Sequence, residues 1–130
     1  MTRLHRRAAM GSAAVAIAFF AALASAAPTQ VPQITNLRAQ PARFCARSCA
    51  NPGTTLKFTV STAATVTANA WPRSRNIAGY VEFRRHFNAG ANSTRLNDSR
   101  FTPGRWTVKL QGVNAVGSGT TAITDVRIVK

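Results

Sequence analysis

Acidic residues are nearly missing from this chain: Glu82, Asp98 and Asp125 are the only three in 130 residues. General acid–base catalysis needs two titratable groups held in position. Beyond residue 26 only His86 can join these carboxylates, and no serine stands in a Gly-x-Ser-x-Gly context that would complete a nucleophilic triad. Glu82 and His86 stand four apart, a spacing that puts them on the same face of a strand but roughly 13 Å from one another at the usual rise. That is too far for a hydrogen bond. A phosphate-binding glycine loop, a calcium loop and a dinucleotide fingerprint are also lacking. The reading that follows is a non-enzyme with no cofactor and no metal, because zinc wants three or four ligands and Cys45, Cys49 and His86 are all the chain offers after its first segment.

Cysteine is equally sparse. Cys45 and Cys49 are the only two, and in an oxidising compartment so close a pair becomes a disulfide. The ring Cys45-Ala46-Arg47-Ser48-Cys49 is small, so the bond would staple a loop and contribute only about 2 kcal/mol by loop entropy. Long apolar runs are confined to one place. Ala8 to Ala24 follows the basic start Thr2-Arg3-Leu4-His5-Arg6-Arg7 and ends in Ala24-Ser25-Ala26, the small-x-small triplet of a signal peptidase site. A retained anchor is the rival, but alanine is a weak lipid partner. Residues 1–26 therefore read as a helical signal peptide, 27–32 as a short tether and 33–130 as one domain. The location implied is extracytoplasmic, in the periplasm or outside the cell, with no stable membrane insertion once the leader is cut.

What is plentiful is arginine. Loss of Arg3, Arg6 and Arg7 with the leader takes the basic residues from 17 to 14 against three acids, a net charge of +11. Such a surface attracts polyanions at any physiological pH.

After Pro32 the pattern is period two, broken by turn signals about every ten residues. Gln33–Ala39, Thr54–Val60, Thr65–Trp71, Tyr80–Phe87, a short Ser93–Leu96, a strand through Trp106, Val108 and Leu110, and Thr121–Lys130 read as strands. Asn88 to Asn92 reads as a loop. The expected core is Leu56, Phe58, Val60, Val66, Ala68, Val81, Phe83, Trp106, Val108, Leu110, Val126 and Ile128. About seven short strands of this kind predict an all-β, antiparallel two-sheet sandwich.

The run Pro52-Gly53-Thr54-Thr55-Leu56-Lys57-Phe58-Thr59-Val60 through Thr67, then Gly90-Ala91-Asn92, then Phe101-Thr102-Pro103-Gly104-Arg105-Trp106-Thr107-Val108 resembles exported bacterial domains of immunoglobulin-like or fibronectin type III-like build. The resemblance covers about Ile34 to Val129. It implies a Greek-key sandwich serving as a spacer, adhesion unit or ligand-binding module, with no catalytic residues. The family commonly has tyrosine at the corner where Trp106 stands, which leaves open what replaces the tyrosine's hydrogen bond.

The densest chemistry lies between Trp71 and His86. Arg73, Arg75, Arg84 and Arg85 are flanked by Trp71 and Tyr80, which combines cations with flat rings as polyanion and sugar surfaces do. Arg84 and Arg85 are adjacent on a strand and point to opposite faces unless a bulge intervenes. The alternative is a solvated edge hairpin whose arginines discourage edge-to-edge pairing. The expectation for function is a secreted binding or structural module, its partner an anionic cell-envelope polymer or a surface protein. The alternative is a cationic effector that coats envelopes by charge alone.

Overall fold

Alternation decides this fold strand by strand. In Thr54–Val60 the residues Thr54, Leu56, Phe58 and Val60 are buried while the three between them are half-buried. In Ala64–Pro72 every second residue from Ala64 to Pro72 is buried. The structure, a computed structural model, describes residues 28–130; the expected signal peptide lies outside the described residues. Among them the elements are β1 (Ile34–Gln40), β2 (Arg43–Cys45), β3 (Thr54–Val60), β4 (Ala64–Pro72), β5 (Tyr80–Phe87), β6 (Gly90–Leu96), β7 (Gly104–Val113) and β8 (Ala122–Val129). The described residues are all-β in two sheets, ordered β1-β3-β6 and β2-β8-β7-β4-β5.

Three expectations are corrected. The pairing is not wholly antiparallel, because β2 runs parallel to β8 and makes the five-stranded sheet mixed. The cause lies at Pro41, which has no N–H to extend the β1 ladder: the chain leaves the first sheet without reversing and joins the edge of the second. This short strand also brings the count to eight. Strand β6 begins at Gly90, three residues before the expected Ser93, and pairs with β3 along its whole length. Val81 is outside the core, 58% exposed, and Phe83 is only half-buried. A bulge separates the two: Ala68 opposes Phe83 but Asn69 opposes Val81, so Glu82 is an extra residue, Val81 faces out and Phe83 still faces the core.

Aromatic side chains fill the two ends of the core. At one end Phe44, Phe101, Trp106 and Tyr80 form a chain with centroid separations of 6.1, 4.9 and 6.2 Å. At the other, Phe58 meets Phe87 at 5.1 Å and Phe87 meets Phe83 at 6.0 Å. Small alanines of β4, buried at 64, 68 and 70, leave room for these rings. The end of the expected tether is built into the fold: Pro32 is fully buried and packs on Gly112, whose Cβ position would lie 3.1 Å from the proline ring. A side chain on Gly119 would collide with the Pro32 carbonyl, so a bare backbone is required there.

The Cys45–Cys49 disulfide is formed, and its loop is held by Gly53 N–H donating to the Cys45 carbonyl at 2.8 Å. Phe44 and Ala46 beside it are buried. Because the closed ring is short, reduction is expected to lower stability by only about 2 kcal/mol. Urea unfolding with and without reductant checks this; a loss large enough to unfold the domain would show that the bond holds more than its loop.

Candidate functional site

The last turn of β4 sets up the site. Pro72 faces inward and is buried, which aims Trp71 outward, where its ring lies 5.9 Å from the Lys109 ammonium. The connection that follows turns back at Gly79, whose φ of +87° suits glycine and whose Cβ position would lie 2.8 Å from the Ala70 carbonyl. Trp71, Arg73, Ser74, Arg75, Asn76 and Thr107 line an open concavity of about 480 Å³. Its lining combines an indole and the apolar Pro72 and Ile77 with guanidinium, amide and hydroxyl groups. Arg73 meets Asp125 at 3.3 Å, an exposed pair of small energetic weight, and Thr107 Oγ1 donates to the other oxygen of Asp125 at 3.1 Å.

The other residues expected in this site lie elsewhere. Arg84 is on the same outer sheet face but opposite Thr67, four positions down β4 from Trp71. Arg85 points the other way, into the gap between the sheets, where it donates to Thr94 Oγ1 of β6 and lies 5.1 and 5.6 Å from the Phe83 and Phe87 rings. It bridges the open edge between the sheets, away from the Trp71 concavity. Tyr80 is similarly occupied, stacked on Trp106 and covered by the Arg100 guanidinium at 4.1 Å. Only Trp71, Arg73 and Arg75 of the expected set come together.

Glu82 and His86 do not share a face. The bulge turns Glu82 inward, its side chain 3% exposed, while His86 is exposed. Glu82 instead joins Asp98 and Arg100. Arg100 contacts Asp98 at 2.7 Å and Glu82 at 3.9 Å, and Glu82 Oε2 is buried without a hydrogen bond. Burial first, then the hydrogen bond and negative charge of Asp98, push the Glu82 carboxyl up to about 8 against the weaker pull of Arg100. Burial would raise Asp98 too, but hydrogen bonds with Arg100 and Glu82 outweigh it and hold that carboxyl at about 2. The two carboxyls lie together against Arg100.

Sequence reasoning missed Thr107, Lys109 and Asp125, which reach the site only through the registers of β7 on β4 and β8 on β7. It also missed the Glu82–Asp98–Arg100 cluster, for which the sole signal was that two of three acids lie within a few residues of turns. Among the described residues no group of three or more metal-ligating side chains gathers, and no helix is long and apolar enough to cross a membrane. No family model matches the chain, and neither does any curated protein or solved structure.

Proposed function

We propose that the protein is an exported immunoglobulin-like β-sandwich domain acting as a non-catalytic binding module, and that the concavity of Trp71, Arg73 and Arg75 takes an anionic polymer of the cell envelope. The observation that carries this reading is the meeting of a half-buried indole with two arginines in one depression. Cations beside a flat apolar ring suit a ligand that offers both charge and a ring face.

Two features support the immunoglobulin-like part. Strands β1, β3 and β6 form one sheet while β4, β7 and β8 lie in the other, which is the division of strands A, B and E from C, F and G in that family. At the Pro-Gly-x-aromatic corner the Trp106 indole N–H donates to the Thr102 carbonyl at 2.9 Å, four residues upstream. This bond does what a corner tyrosine's hydroxyl does in the family. The disulfide suits an oxidising, extracytoplasmic setting.

Replacing Arg73 and Arg75 together with alanine is expected to make the protein elute from a heparin column at clearly lower salt, with an unchanged melting temperature because both side chains are exposed. Unaltered retention would overturn the assignment of this concavity. Binding to envelopes that persists at high salt would instead point to a surface protein held by shape.

A further inference from the structure

Four arginines stand at one register across four neighbouring strands on the outer face of the five-stranded sheet. Arg43 of β2 is the direct partner of Arg127 of β8, and Arg127 is the direct partner of Arg105 of β7. Arg73, the residue after β4, continues the row by donating its backbone N–H to the Arg105 carbonyl at 2.9 Å. With adjacent strands about 4.8 Å apart, the row spans about 14 Å. All four side chains are exposed.

The fold derives no evident benefit from this arrangement. Like charges directly opposite one another across strands are destabilising, and uncharged residues would serve an exposed strand position equally well. Among the described residues the side chains of Arg43, Arg105 and Arg127 form neither an ion pair nor a hydrogen bond, and Asp125, the carboxylate of this face, is engaged by Arg73 and Thr107. A second depression of about 350 Å³, lined by Ala42, Arg43, Arg105, Asp125, Val126 and Arg127, adjoins the Trp71 concavity, because Thr107 of the one is hydrogen-bonded to Asp125 of the other. The two depressions meet at Asp125, which Arg73 and Thr107 of the first both contact, and we take them together as one track.

We propose that this track binds a linear acidic glycan carrying one carboxylate on each sugar, laid across the strands from Arg43 to Arg73 with one sugar ring on Trp71. The inference rests on the binding reading given above and extends it from one concavity to a whole sheet face with a stated ligand class. Guanidinium forks pair with carboxylates through two parallel hydrogen bonds, and a chain with an anion on every ring repeats its charge as the row repeats its arginines. A single-stranded nucleic acid fits less well. Such ligands are held by successive aromatic platforms, and this track has one ring, the half-buried Trp71.

The test is calorimetric titration of the purified protein with polygalacturonate, with its methyl ester and with single-stranded DNA, each over a range of salt. The protein is expected to bind polygalacturonate and not the ester. Replacing Arg43, Arg105 and Arg127 together with alanine is expected to weaken binding at least tenfold at low salt and to flatten the dependence of log affinity on log salt. The triple lysine variant should retain much of the charge-driven part, and melting temperatures should show both variants folded. If the triple alanine variant binds as the parent does while the Arg73/Arg75 variant fails, the row is overturned and the concavity stands. If the parent protein binds none of the polyanions, both readings fall. Tighter binding of DNA than of polygalacturonate, lost with the same arginines, would overturn the glycan in favour of nucleic acid.

Discussion

Replacing Trp106 with alanine is expected to lower the free energy of unfolding by about 3 to 5 kcal/mol, the range for truncating a large buried aromatic side chain. The residue is 1% exposed and stands between Phe101 and Tyr80 in the aromatic chain that fills one end of the core. Truncation would leave a cavity next to Phe101, itself held over the disulfide loop by Phe44, so collapse around the gap would have to move the loop as well. The Thr102 carbonyl would also lose its donor. Phenylalanine at 106 restores most of the volume but not that hydrogen bond, and should cost about 1 to 3 kcal/mol. Urea unfolding of both variants measures the difference. A loss below about 1 kcal/mol for the alanine variant would show that the two sheets do not close on this ring.

Stability is expected to fall by on the order of 3 kcal/mol, after allowance for solvent screening, between about pH 4.5 and pH 8, because unfolding lets Glu82 release a proton that its buried place in the fold retains. The folded-state pKa of Glu82 is raised to about 8 from an ordinary value of 4.5. The folded protein therefore holds a proton that the unfolded chain releases. Its contribution is complete below pH 4.5 and is lost as pH rises through 8. Asp98 works in the opposite sense. Its pKa is lowered from 3.8 to about 2, so its contribution is present above pH 3.8 and disappears as pH falls through 2. Together the pair places greatest stability just above pH 4. Glu82→Gln keeps a donor for Asp98 and removes the ionisation, so the variant's decline toward alkaline pH should vanish. Chemical unfolding at pH 4.5, 6 and 8.5 checks this; parallel curves for parent and variant would exclude Glu82 as the source.

Much of the fold could be read from alternation alone, because a period of two places Leu56, Phe58 and Val60 on one face whatever the rest of the chain does. The errors came where the period breaks. Nothing local distinguishes Val81-Glu82-Phe83 from a regular strand; the bulge exists because Tyr80 packs on Trp106 while Phe83 packs on Phe87, contacts made at opposite ends of the core. The parallel strand β2 was hidden in a loop for a similar reason, since three residues carry no periodicity and their partner lies at the far end of the chain. The site was legible where it is local, in Trp71, Arg73 and Arg75. The arginine row was invisible because its members come from positions 43, 73, 105 and 127 and meet only through strand register.

The seat of Pro32 between Gly112 and Gly119 fixes how much of the amino-terminal chain the domain owns. Recombinant forms that start after Pro32 would bare two glycines and would turn Gln33, which is paired with Ser61 through backbone and hydroxyl hydrogen bonds, into a chain terminus. The same geometry joins Pro32 to Gly112 and Gly119, so this closure cannot form until the long stretch of chain between them is in place, which puts it among the last contacts the fold makes.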